Sequence, residues 1–123
     1  MQTGEVTGKV IGCAIEAHRT LGPGLLESTY EQCLARELQL QDIPFKLQWP
    51  LAVEYKGVRL DCAYRVDLLV DDRIVVELKA AEQIHGIHEA QLLTYMKLAG
   101  AKGGLLMNFN VRTLKDGIRR FVL

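Results

Sequence analysis

Arg65-Val66-Asp67-Leu68-Leu69-Val70-Asp71-Asp72-Arg73-Ile74-Val75-Val76-Glu77-Leu78-Lys79 reads as two apolar strands joined by a tight turn. Val66, Leu68 and Val70 alternate along the first strand, and Ile74, Val76 and Leu78 along the second. This period of two gives each strand one core face and one face toward a cleft or solvent. Asp67, Glu77 and Lys79 occupy the second face. An unpaired charge in such a place is costly, so each must be paired, solvated or used.

The register of the hairpin decides whether the acids meet. A two-residue turn at Asp71-Asp72 would set Asp67 against Val76 and send the two acids to opposite faces. A three-residue loop, Asp71-Asp72-Arg73, or a bulge sets Asp67 against Glu77, with Lys79 on the same side. Directly opposed Cβ atoms lie roughly 4.5–5.5 Å apart, and like charges there repel. A bound cation would remove that repulsion, and the alternation of both strands favours this register. Two acids and a lysine so placed suit a divalent cation and an activated water. A salt-bridged strand face, with Lys79 pairing either acid, fits the same spacing.

Outward from the hairpin, the alternation extends back to Val58 through Leu60, Cys62 and Tyr64, predicting one strand over 58–70. Phe45 to Trp49 is a strand. Leu51 to Tyr55 is its continuation or a second strand, interrupted by Pro50, and Lys56-Gly57 is a turn. Val6, Val10, Ile11, Ala14, Ile15 and His18 recur at helical spacing, predicting a helix over about 4–21 that ends at Gly22-Pro23-Gly24. A second helix is expected over 26–41, with Leu26, Tyr30, Leu34 and Leu38 on one flank. A third is expected over 85–98, stopped by Gly100. Gly103 to Phe109 is a buried strand, and Ile118 to Val122 a last edge strand. The pattern predicts a mixed sheet flanked by helices.

The chain has 123 residues, enough for one domain with its own core. Its formal net charge is zero, which argues against tight nonspecific grip on duplex nucleic acid by the whole surface. Cys13, Cys33 and Cys62 have no metal-knuckle spacing and read as small core residues in a reducing compartment. No secretory signal or bilayer-spanning run is visible, so the expected location is the cytoplasm.

The spacing from Asp67 to Glu77-Leu78-Lys79 resembles the PD-(D/E)XK nuclease signature, although Tyr64-Arg65-Val66 brings no proline before Asp67. Gly24-Leu25-Leu26-Glu27-Ser28-Thr29-Tyr30 resembles the pattern that names the GxxExxY protein family. The segments 60–70, 88–95 and 108–111 are similar to that family as well, so the likeness covers nearly the whole chain. The resemblance implies an α/β, restriction-endonuclease-like mixed sheet flanked by helices, in the order α-α-β-β-β-α-β. It implies Asp67 and Glu77 as ligands of Mg2+ or Mn2+, helped by the Leu78 carbonyl, and Lys79 as the catalytic lysine. Glu27 corresponds to an extra acid on the helix before the sheet, and Gln91 to a supporting glutamine on the following helix. The implied reaction is phosphodiester hydrolysis in DNA or RNA.

Other residues remain open on the sequence. Arg65 shares the face of Asp67 and could touch a phosphate, or pair Asp61 or Glu77. Arg119 and Arg120, with Arg112 and Lys115, form the best local basic patch; they could track a phosphate backbone or protect a sheet edge. His88 lies on the stripe of Gln91 and Tyr95, while His18 and His85 show no clear partner. Two alternatives to a nuclease stand: a non-catalytic module of this fold that binds nucleic acid or a protein, and a homo-oligomer with Trp49 and the Pro50 edge at its interface. No membrane role is expected.

Overall fold

The computed structural model describes residues 2–123. Two helices open the chain, α1 (Thr3–Leu21) and α2 (Glu27–Leu40). Strands β1 (Phe45–Pro50), β2 (Val53–Tyr55), β3 (Val58–Leu60), β4 (Arg65–Val70) and β5 (Ile74–Lys79) follow. Helix α3 (Gly86–Ala99) then leads to β6 (Gly103–Asn108), a 3-10 turn at Leu114–Gly117 and β7 (Ile118–Val122). Five strands form one sheet in the order β1-β4-β5-β6-β7, and β2 and β3 pair as a separate ribbon. Only β5 and β6 run parallel, because α3 carries the chain across between them. This is the α/β architecture that the resemblance implied, enlarged by the ribbon and the closing edge strand.

The helices form where apolar spacing predicts them. Val6, Val10, Cys13, Ala14 and Ala17 are the buried stripe of α1; Ile15, expected on that stripe, is instead 39% exposed. Gly22 ends the helix at φ +76°, its N–H donating to the His18 carbonyl at 2.7 Å. In α2, Tyr30, Leu34 and Leu38 are fully buried. Leu26 stands at the N-cap in extended conformation, outside the helix, so it is 73% exposed and does not join them.

Two cores sandwich the sheet. On one side, α1 and α2 pack on Leu68, Val70, Ile74, Val76, Leu78, Leu105 and Met107. On the other, Leu92, Tyr95 and Met96 of α3 pack on Leu69, Val75 and Leu106. Gly104 lets α3 approach, since a Cβ there would stand 2.4 Å from the Met96 sulfur.

The single strand expected over 58–70 is broken. β3 ends at Leu60, β4 begins at Arg65, and Ala63 between them has φ +57°. Residues 61–64 pass from one sheet to the other, so Leu60, Cys62 and Tyr64 are exposed instead of lying on a core face. Cys13 is buried as read, but Cys62 is not a core residue.

Candidate active site

The β4–β5 pairs run Val70↔Ile74, Leu69↔Val75 and Leu68↔Val76 across a three-residue loop. Asp71 and Asp72 both have positive φ, and the Arg73 N–H closes the turn on the Val70 carbonyl at 3.0 Å. Continued by one residue, this register sets Asp67 opposite Glu77. Here the backbone pairing gives way to the acids. The Asp67 N–H donates to Glu77 Oε1 at 3.2 Å, and the Leu78 N–H donates to Asp67 Oδ2 at 2.8 Å. Each carboxyl thus takes a backbone donor from the facing strand, which satisfies polar groups that a parted ladder would leave bare.

The strands also turn over at this point. Val66 packs in the α3 core although Leu68 packs in the α1–α2 core. Phe45 and Trp49 of β1 are split between the cores in the same way. Gln48, between them, is a non-glycine residue at φ +47°, a conformation costing roughly 1–2 kcal/mol. Such strain gathers where geometry serves a site. The Gln48 amide donates to Glu31 Oε1 at 2.5 Å and to Asp67 Oδ1 at 3.4 Å.

Glu27, Ser28, Glu31, Gln48, Asp67 and Leu78 line a cleft of about 190 Å³. Glu27 reaches it from the first turn of α2. The loop before it is held by Tyr30, whose hydroxyl donates to the Gly22 carbonyl at 2.5 Å and accepts the Leu25 N–H at 3.1 Å. The Tyr30 ring stacks on Phe109 at 4.5 Å. Glu31 and Gln48 escaped the sequence reading. Glu31 lies one turn after Glu27, a four-residue acid spacing that marks a shared helix face. Gln48 left no such signal.

Burial, together with the charge of Asp67, pushes the Glu77 carboxyl up to about 8, against the opposing effects of the Asp67 N–H and Lys79. The two carboxyls lie within hydrogen-bond reach of each other. Glu31 is raised by burial and then by Asp67, while its bond to Gln48 works the other way. Lys79 is half-buried and, among the described residues, makes no ion pair, so the strand face is not the simple salt bridge that the spacing allowed. Past Lys79 the chain is fixed by buried Asn108, whose side chain bonds both the N–H and the carbonyl of Ala81.

The remaining candidates scatter. Gln91 does not line the cleft; its amide donates to the Tyr95 hydroxyl at 2.9 Å, and the Tyr95 phenol is raised by burial and by the nearby Glu77 charge. Arg65 donates to the Gln48 carbonyl at 3.4 Å and pairs neither Asp61 nor Glu77. Arg119 is paired with Glu89 of α3 at 3.4 Å. Arg120 stands across from Leu105, on the opposite side of the sheet, so the two arginines do not form one patch. His88 accepts the His85 N–H at the start of α3. His18 is buried, its Nε2 bonded to the carbonyls of Phe109 and Val111.

No group of three His, Cys, Asp or Glu among the described residues is arranged to hold a metal ion. The two crowded carboxyls at the hairpin are Asp67 and Glu77. Such a pair is chemically suited to a hard divalent cation, since magnesium needs only one or two carboxylates plus water and substrate oxygens. A cation would take the place of the proton that the crowded pair retains.

The sequence profile of the PD-(D/E)XK nuclease superfamily matches residues 4–121. The chain belongs to that superfamily. Comparison with curated proteins and with solved structures gave no match. Nucleases of the PD-(D/E)XK superfamily generally use divalent metals. The acids whose spacing resembles the signature, Asp67 and Glu77, are the interlocked pair at the parting of β4 and β5.

Proposed function

We propose that this chain hydrolyses phosphodiester bonds in DNA or RNA with a divalent cation, Mg2+ or Mn2+, held by Asp67 and Glu77. The observation that carries the reading is the acid pair itself: two carboxyls each bonded to the backbone of the facing strand, one with its proton held to about 8, beside a lysine without an ion pair among the described residues. A bound cation supplies positive charge to the phosphate and lowers the pKa of a water ligand. Glu77 would hold the cation as a carboxylate, its proton released to solvent. Lys79, two residues on, holds the attacking water or meets charge developing on the phosphate oxygens. Glu27 and Glu31 bring further carboxylates from α2 to the cleft that Asp67 lines. Gln91 acts at one remove by fixing Tyr95, and Arg65 offers its guanidinium to a phosphate. The likeness of residues 24–30 to the GxxExxY pattern supports the role of Glu27.

The test is cleavage of single-stranded and duplex DNA and RNA in Mg2+ and in Mn2+. Cleavage lost in Glu77→Ala supports the reading; no cleavage of any form, or full cleavage by Glu77→Ala, refutes it. The lack of a third ligand among the described residues favours a second reading, a binding module that keeps the fold without catalysis. Calorimetric titration with Mn2+ separates them, because the module requires no heat of metal binding.

A further inference from the structure

Beside the acid pair, on its α3 side, lies a second hollow of about 430 Å³ whose walls include Val53, Tyr64, Ile87, Gln91, Tyr95 and Leu98. This volume falls within the usual range of small-molecule sites. The Tyr64 and Tyr95 rings stand 6.1 Å apart at 54°. Tyr64 is 45% exposed and Ile87 72%, while Tyr95 is buried behind them, so the aromatic surface that the hollow presents to solvent is that of Tyr64. The Tyr64 backbone is fixed, its carbonyl accepting the Leu51 N–H at 2.8 Å. Gln91 gives one amide hydrogen to Tyr95, and its amide oxygen has no partner among the described residues. Arg65, which follows Tyr64, donates to the Gln48 carbonyl, and the Gln48 amide donates to Asp67 Oδ1, so the hollow lies near the acids.

A chain of zero net charge has little general attraction for a polynucleotide backbone. An aromatic face offers another hold, because every unpaired base can stack on it. Bases within a duplex are already stacked and cannot enter such a hollow without being flipped out. Arg65, next to Tyr64 in the chain, makes no ion pair among the described residues and reaches the carbonyl of Gln48 at the acid cleft. It is placed to meet a phosphate between the hollow and the cleft.

We propose that the Tyr64–Tyr95–Gln91 hollow binds an unpaired nucleobase beside the phosphate held at Asp67 and Glu77, which makes single-stranded nucleic acid the substrate class. The location of that phosphate rests on the nuclease reading; the stacking does not.

The test is fluorescence anisotropy of a labelled oligothymidylate and of a duplex of equal length, both in EDTA so that nothing is cut. The single strand should bind at least about tenfold more tightly than the duplex, and Tyr64→Ala should remove about tenfold of that affinity, within the range for one stacked base. Tyr64→Trp should restore it. Equal affinity for the duplex, or single-strand binding indifferent to Tyr64→Ala, overturns the proposal. So does a dimer in sedimentation that Tyr64→Ala dissociates, because the hollow would then be a self-association surface. Binding that depends on Tyr64, from a protein that cleaves nothing in Mg2+ or Mn2+, sustains the hollow and sinks the nuclease reading. Cleavage with no dependence of binding on Tyr64 does the reverse.

Discussion

At its turn, the β4–β5 hairpin is an ordinary antiparallel ladder of buried aliphatic residues, from Val70↔Ile74 to Leu68↔Val76. One residue further on, at Asp67 and Glu77, the same two strands exchange carboxyl-to-backbone bonds. Both ends continue one alternating pattern. The turn end uses it to fill the two cores. The far end holds a crowded acid pair that lowers the stability of the metal-free fold above the usual carboxylate range, a common feature of functional sites.

The largest break in this contrast should come from Glu77→Gln, which keeps the shape and removes the carboxylate that a cation would need. We expect a loss of about a thousandfold in kcat, the upper range for removing one electrostatic partner, with Mn2+ binding weakened in calorimetry. Lys79→Met should be milder, about a hundredfold in kcat, and should leave metal binding in place; a fall in metal affinity equal to the fall in kcat would contradict its assigned role.

The pH dependence of stability gives a third test. Glu77 ordinarily titrates near 4.5 and in the fold near 8, so between these values the folded chain holds a proton that the unfolded chain has lost. Stability of the metal-free protein must therefore fall as pH rises through this window and level off above it. Thermal melts across pH in EDTA should show this slope, and Glu77→Gln should flatten it. A metal-free melting temperature that rises over the same window would dismiss the buried-proton picture.

The smallest effect belongs to the turn end. Lys46 and Asp72 pair at 2.9 Å, but both are well exposed, and such pairs contribute about 0–1 kcal/mol. Asp72→Asn also keeps a residue type that tolerates positive φ. Denaturant melts should shift by no more than about 0.5 kcal/mol, and activity should stay at the wild-type level.

The sequence was readable where its signals are local. Period-two and helical spacing located β5, β6 and the three helices to within a residue or two. The need to keep both apolar faces buried selected the three-residue loop at Asp71-Asp72-Arg73. Ala63 and Gln48 defeated the same reasoning. Both take left-handed conformations that nothing in their side chains requires, so the break before β4 and the face change at Asp67 leave no mark in the pattern. Arg119 and Arg120 are adjacent in a strand and read as one basic patch by composition, but neighbouring strand residues point to opposite faces. Glu31 was legible as a second acid one turn after Glu27, but its link to Asp67 runs through Gln48 and needs the tertiary fold.

The sequence by itself determined the hairpin, its register, the placing of two acids and a lysine on one side, and the superfamily to which the signature belongs. Alternation and spacing act over a few residues, and a one-residue slip would expose a whole apolar face. Only the tertiary structure decided that the acids interlock, that Glu77 keeps its proton, and that α2 brings Glu27 and Glu31 to the cleft while Tyr64 and Tyr95 form the adjoining hollow. Those outcomes depend on burial and on contacts between residues far apart in the chain, which no local pattern encodes.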